Sequence, residues 1–210
     1  MTPNRSSETE RVRGIYDKLA PRFDRRISFW EKVLFAGGRE WVCSQAKGDT
    51  LEIAVGTGRN FPFYATDVRL TGIELSPQML EIARDRARDA GREVDLRVAD
   101  AEALPFPDAS FDTVVCTLSL CSIPDDHKAV AEARRVLRPG GAFLLLEHVR
   151  SANPVVRAGQ RLLEPINARF EGDHLLREPL EHLRAESFEI ERLERSKAGI
   201  VERVRARKPA

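Results

Sequence analysis

Two glycines stand at the boundary where the apolar stretch TLEIAV (50–55) gives way to polar residues, in the run E-I-A-V-G-T-G-R-N at 52–60. Gly56 and Gly58 permit a tight strand-to-helix turn and let the backbone approach a ligand with no Cβ in the way. Glu74 follows at the end of the next apolar stretch, RLTGIEL (69–75), where a carboxylate can accept both hydroxyls of an adenosine ribose. The turn alone is also what an ordinary strand-to-helix connection looks like. Together with Glu74 it points to a nucleotide-type ligand. A dinucleotide fingerprint would carry glycine or alanine where Phe61 stands, and a phosphate loop would carry a Lys-Ser/Thr pair that is missing here. An adenosine ligand without pyrophosphate fits best, and S-adenosylmethionine is the common one.

A second chemical signal is His148, at the end of the apolar run AFLLLEHV (142–149), on the edge where open parallel sheets place ligands. An imidazole titrates near physiological pH and suits a general base for an amine or thiol; the plainer reading is a histidine hydrogen-bonded in a loop. Cys116 and Cys121 flank the end of the run FDTVVCTL (111–118) and read as small buried hydrophobes. His127, His174 and His182 have no ligand spacing with acids or cysteines, so no metal is expected. Asp112 and Pro139-Gly140-Gly141 read as structural, the latter as a helix stop and turn.

These groups need a frame to hold them. Short apolar runs at 50–55, 69–75, 94–99, 111–118 and 142–149 alternate with helical patterns, among them one that Ser76 caps and Pro77 opens. Strands alternating with helices imply a parallel sheet covered on both faces. The tail breaks the alternation. It predicts an amphipathic helix at 154–170, another near 177–186, and a hairpin-joined pair of strands at one sheet edge, on which Arg203, Arg205 and Arg207 face out. Ahead of the sheet, residues 1–9 read as a frayed tail and residues 10–47 as helix, split in two at Ala20-Pro21.

The 210 residues suit one domain, with residues 10–47 as a helical lid, 48–149 as the cofactor-binding core, and 150–210 as an acceptor-side insertion with edge strands. Lys and Arg total 34 against 33 Asp and Glu, so no overall field argues for nucleic acid. Three cysteines without a pairing or ligand pattern favour a reducing compartment. No run is long enough to span a membrane and the N-terminus is too polar for a signal peptide, so a cytoplasmic protein is expected.

Taken in order, EIAVGTGRN (52–60), GIEL (72–75), VADAEALPF (98–106), SFDTVV (110–115) and RVLRPGG (135–141) resemble the successive motifs of class I S-adenosylmethionine-dependent methyltransferases. The resemblance covers residues 50–149. It implies a Rossmann-like, doubly wound α/β fold with a mostly parallel seven-stranded sheet and an antiparallel edge strand. S-adenosylhomocysteine would be the product. It further implies that Glu52, Gly56 and Gly58 line the methionine end, Glu74 takes the ribose, Leu75 and Met79 pack the adenine, and Asp100 with Ala101 reads the adenine edge. Ala54, Asn60, Glu102 and Thr117 complete the implied cofactor set. Ala54-Val55 departs from the commoner Gly-Cys or Gly-Ala, and leaves untouched the backbone freedom needed at Gly56 and Gly58.

At the N-terminus, YDKLAPRFD (16–24) is similar to a segment of quinone-biosynthesis C-methyltransferases and bacterial phosphatidylethanolamine N-methyltransferases. That similarity implies that Tyr16 closes over the cofactor's carboxylate, next to His148 as the second catalytic candidate. CTLSLCSIP (116–124), the 138–149 run and REPLEHLRAESF (177–188) are similar to methyltransferase-like thiol methyltransferases, although Asp173 stands where their Gly-Cys pair is sought. A lipid-like acceptor, best the amine of phosphatidylethanolamine, is the leading expectation. Methylation of a quinone carbon or of a small molecule, and a non-catalytic adenosine-ligand regulator, are its rivals. The cationic, aromatic stretch 11–35 suits peripheral contact with an anionic inner-membrane face as well as a lid.

Overall fold

The computed structural model describes residues 5–210. Helix α1 (Arg5–Leu34) and the short α2 (Gly38–Cys43) precede a sheet of seven strands. These are β1 (Asp49–Ile53), β2 (Arg69–Glu74), β3 (Val94–Val98), β4 (Phe111–Thr117), β5 (Leu137–His148), β6 (Glu189–Ser196) and β7 (Val201–Arg207). The intervening helices are α3 (Pro77–Asp89), α4 (Asp126–Val136), α5 (Pro154–Phe170) and α6 (Pro179–Ala185). The strand order is β3-β2-β1-β4-β5-β7-β6.

Strands β1 to β5 are parallel neighbours, with Ile53 level with Ile73 and Cys116, and Thr117 level with Leu146. The ends of β1, β2, β4 and β5 therefore meet on one edge. The chain winds outward from β1 to β3 and returns to β4, so the reversal that opens a crevice lies between β1 and β4. The tail forms the expected hairpin. Its antiparallel member β7 lies between β5 and the outermost β6. Arg203, Arg205 and Arg207 are consequently half-buried rather than out on an edge, and the latter two pair with Glu191 and Glu189 of β6.

The sheet buries both faces. Leu51, Ile53, Val114, Phe143 and Leu145 pack with α4 and α6 residues such as Ala133 and Leu183. Their neighbours along the strands, Val115, Leu144 and Leu146, pack with Val42 of α2 and Leu80 and Ala83 of α3. This period-two division is the reason the central strands read as continuous apolar runs. Ser76 caps α3 as expected, its hydroxyl accepting from the Met79 N–H at 3.1 Å.

Two local expectations need correction. Helix α1 runs unbroken through Pro21, and its start at Arg5 makes residues 5–9 helical; residues 1–4 lie outside the described part. A proline inside a helix costs about 3 kcal/mol. Here Asp17 on one side of it and Asp24 on the other are both tied to the same body, through Ser76 and Thr57, which offsets part of that cost. Second, α4 stops at Val136, and Pro139-Gly140-Gly141 lies within β5, where its register with β4 shifts. Gly140 there is left-handed (φ 77°) and donates its N–H to the Lys208 carbonyl at 2.8 Å. Helix α5 is amphipathic as expected; its apolar stripe faces outward and Gln160 is its buried residue.

Candidate functional site

A cavity of about 590 Å³ opens at the carboxyl edge of the sheet. Its floor is made by the ends of β1, β2, β4 and β5, and its walls by α1 and α5. Of the residues singled out in the sequence, Tyr16, Ala54, Gly56, Glu74, Leu75, Met79, Asp100, Ala101, Thr117 and His148 line it. Glu52, Gly58, Asn60 and Glu102 do not.

Glu74 and Gly56 are joined directly. The Gly56 N–H donates to Glu74 Oε2 at 2.9 Å and the Ser76 N–H to Oε1 at 2.9 Å. Each oxygen keeps a lone pair, so the carboxylate is fixed in place and still able to accept from a diol. Burial raises the Glu74 pKa against the pull of these amides. Gly56 is left-handed (φ 55°), and a Cβ built there meets nothing within 4 Å. The space a side chain would fill at this position is part of the cavity. Asp100 faces the cavity while its Oδ1 accepts from the Glu102 N–H at 2.9 Å, which holds its turn.

The residues off the wall support it from beneath. Glu52 is buried and accepts from Asn60 Nδ2 at 2.9 Å and the Tyr64 hydroxyl at 2.8 Å. Burial pushes its pKa up to about 7, partly opposed by Tyr64, Arg39 and Asn60. Asn60 also donates to Thr117 Oγ1 at 2.9 Å, which couples β1, the turn and the end of β4. Gly58 (φ 77°) lies against the Phe61 ring, 2.5 Å from where its Cβ would be. Phe61, which breaks the dinucleotide pattern, is thus the packing partner of the second glycine. Glu102 turns away and accepts from the Asp125 N–H at 3.0 Å.

Ala54 is itself held in a left-handed conformation, beside glycines that keep theirs. It follows β1 directly, at φ 54°; Leu118, directly after β4, has the same φ. Both residues bracketing the crevice adopt a conformation that costs an L-residue roughly 1–2 kcal/mol. A glycine in place of Ala54 would meet that demand without the cost.

On the far side of the cavity His148, Asp173 and Cys121 converge. The His148 Nε2 and Asp173 Oδ1 are 2.9 Å apart. Burial disfavours the charged ring, but the bond to Asp173 and the charges of Asp173, Glu147 and Glu164 prevail and raise the His148 pKa. Tyr16 is half-buried, and desolvation of its hydroxyl pushes the phenol well above the ordinary range, with Ser122 opposing. Beneath the loop after β4, Glu147 accepts the Ser119 and Leu120 N–H groups at 2.9 and 3.0 Å. Burial pushes Glu147 to about 7. Arg39 at this cavity carries no mark in the sequence. Cys121 reads there as a buried hydrophobe and Asp173 as a departure from the thiol-methyltransferase pattern, and no local spacing joins either to His148.

A doubly wound sheet with this order, opening a crevice onto a glycine turn and a ribose-ready carboxylate, is the architecture of class I methyltransferases. A methyltransferase domain model matches residues 51–145. The chain is 39% identical over 127 residues to a phosphatidylethanolamine N-methyltransferase of Cereibacter sphaeroides, a match covering 59% of this chain and 60% of that relative. It is 34% identical over 174 residues to the human thiol S-methyltransferase TMT1A, covering 79% and 70%. Among solved structures, a S-adenosylmethionine-dependent methyltransferase from Thermotoga maritima, described as a possible histamine N-methyltransferase, shares the fold. Its TM-score is 0.70 at 22% identity, with 93% of this chain and 99% of that one covered. The chain belongs to the class I S-adenosylmethionine-dependent methyltransferases, and S-adenosylmethionine is its cofactor.

Proposed function

We propose that this methyltransferase acts on a lipid-like, amphiphilic acceptor met at an anionic membrane surface, and that the acceptor is the amine of phosphatidylethanolamine. The observation that carries this reading is the rim of the cavity. Among the described residues, eight of the eleven exposed large hydrophobics lie on α1 and α5, including Phe29 at 64%, Leu162 at 77% and Phe170 at 68% exposure. The same helices send Ile27, Trp30 and Leu163 to the cavity wall, so the exposed apolar faces run into the apolar interior. Arg22, Arg25, Arg161 and Arg169 are exposed around them. Attraction of such residues to anionic lipid is about 1 kcal/mol each and is screened by salt. Among the described residues no helix is long and apolar enough to cross a membrane, which fits seating on a surface.

In this reading the whole chain is one methyltransferase domain, with α1 as the lid over the cofactor. Glu74 accepts the ribose hydroxyls, Leu75 and Met79 pack the adenine, Asp100 and Ala101 meet its edge, and Tyr16 covers the methionine end. When bound, S-adenosylmethionine supplies a methyl group on a sulfonium, so transfer leaves the acceptor with one proton too many. The protein's tasks are alignment and disposal of that proton. His148 takes it.

The test is methyl transfer from labelled cofactor to a panel of lipids, quinones and thiols, read by mass spectrometry. Methylated phosphatidylethanolamine is expected, with sedimentation on anionic vesicles at low salt and release as salt rises. Charge reversal at Arg22, Arg25 and Arg26 should lower vesicle binding and lipid methylation together, at unchanged cofactor affinity. A protein that ignores vesicles and efficiently methylates a water-soluble thiol would overturn the lipid assignment.

A further inference from the structure

The pairing at the acceptor end of the cavity deepens the reading of His148 as the proton acceptor, and rests on it. We propose that Asp173 is the positioning residue for that step: it selects the tautomer of His148 and sets the pH above which the ring can take the acceptor's proton.

The geometry comes from three separate parts of the chain. His148 ends β5, Asp173 stands in the loop between α5 and α6, and Cys121 lies in the loop after β4. A ring nitrogen of His148, a carboxylate oxygen of Asp173 and the Cys121 sulfur all lie within 4.8 Å of one another. With Nε2–H donating to Asp173 Oδ1 at 2.9 Å, Nδ1 is the nitrogen that carries the lone pair. Asp173 itself is mostly buried; burial raises its pKa, but the bond and charge of His148 outweigh this and keep it ionised.

The charged surroundings of the ring come from every element packed on it. Glu147 precedes it on β5, Glu164 reaches in from α5, and Asp173 stands in the loop after α5; the Cys121 thiol, held neutral by burial, and the Tyr16 phenol of α1 lie beside Asp173. His174, next to Asp173, is taken up by Glu164 at 3.0 Å. Among the described residues, Asp173 is the one carboxylate bonded to the His148 ring. Its charge has two opposed effects. It makes the neutral ring a stronger base, and it keeps the ring protonated to higher pH, where it cannot accept another proton. A plain strap tying the loop to β5 would shift the titration of His148 too, but it would leave the pH dependence of methyl transfer where it was.

The test reads that titration directly. The full chain carrying ¹³C-labelled histidine is followed by NMR, with the His148 signal assigned through its absence in His148→Gln. His148 should hold its proton to higher pH than an ordinary histidine, and Asp173→Asn should lower the midpoint. The acid limb of kcat/KM for labelled-methyl transfer should move to lower pH with it, at a reduced plateau. His148→Gln should cost about 10²–10⁴-fold in rate. An unmoved His148 midpoint in folded Asp173→Asn, or a moved midpoint with an acid limb that stays put, overturns the role of Asp173 alone. Full activity in His148→Gln overturns the underlying reading of the base. If Asp173→Asn does not fold, Asp173→Ser replaces it. Its hydroxyl carries no charge, and a midpoint or an acid limb that stays put counts against the proposal in the same way.

Discussion

Thr57 donates its hydroxyl to the Asp24 carboxylate at 2.6 Å, so the residue between the two glycines of the turn is held from the N-terminal helix. Asp17, Asp24 and Glu31 recur at one heptad spacing and so lie along one stripe of α1. Each is bonded to the cofactor side. Asp17 accepts from the Ser76 hydroxyl at 2.6 Å, and Glu31 from Arg39 Nε at 2.7 Å and Arg59 Nε at 2.9 Å. Arg86 adds a bond to Asp24 and another, at 2.7 Å, to the Thr57 carbonyl. The helix is latched over the cleft by carboxylates. Asp24→Ala should therefore speed the release of S-adenosylhomocysteine and weaken its binding by about 3–10-fold, the value of one or two partly exposed contacts. Stopped-flow dissociation checks this, and an unchanged off-rate would show that α1 does not gate the cofactor.

Glu74→Ala should weaken S-adenosylmethionine and S-adenosylhomocysteine by roughly 1–3 kcal/mol, the cost of a charge-assisted contact. Calorimetry measures it. NADH should show no appreciable affinity for the unmodified protein, and micromolar NADH binding without S-adenosylmethionine binding would contradict the cofactor assignment.

The two glycines of the turn should behave differently. At Gly56 an added side chain enters open cavity, so Gly56→Val should remove cofactor binding from a protein that still gives a folded circular dichroism spectrum. At Gly58 an added Cβ would overlap the Phe61 ring, so Gly58→Ala should lower the melting temperature first. Normal cofactor affinity in folded Gly56→Val would place the ligand elsewhere.

Ala54→Gly should stabilise the fold by about 1 kcal/mol, because Ala54 is held at φ 54° where glycine is unstrained. Chemical denaturation is the measurement. Destabilisation by the same amount would mean that the Ala54 methyl, packed against the core, contributes more than the strain costs.

Glu147 is buried and its pKa is pushed up to about 7. A carboxyl whose folded pKa lies above its unfolded value of 4.5 favours the fold below that value, and this stability is lost as pH rises through about 7. The loss amounts to something on the order of 3 kcal/mol. Glu147→Gln keeps an oxygen for the Ser119 and Leu120 amides and removes the ionisation. Its stability should fall less between pH 5 and pH 8 than that of the parent, as followed by denaturant titration at both ends of the range. Parallel pH dependences would show that Glu147 is not the group responsible. Glu52, also near 7, should account for much of the dependence that remains.

What the sequence alone determined about this protein is what neighbouring residues decide. The alternation of apolar runs with capped helices, the glycine turn at 56–58 and the carboxylate ending β2 all rest on local periodicity and backbone freedom, and each is legible in the order of the residues. The tertiary structure decided the rest. Pro21 reads as a helix break because its cost is local, whereas the contacts of Asp17 and Asp24 that offset part of it come from Ser76 and Thr57. Ala54 reads as harmless because its left-handed backbone is imposed by the close of β1 against the crevice, not by its own side chain. The stripe on α5 announces a helix without revealing that it faces outward. Asp173 shows in the sequence only as a departure from the thiol-methyltransferase pattern, with nothing that links it to His148, since it reaches that ring only when the loop after α5 folds back onto the end of β5. Short-range preference is written in spacing along the chain. A through-space contact costs the chain loop-closure entropy but leaves no periodic trace, so only the folded backbone brings such partners into view.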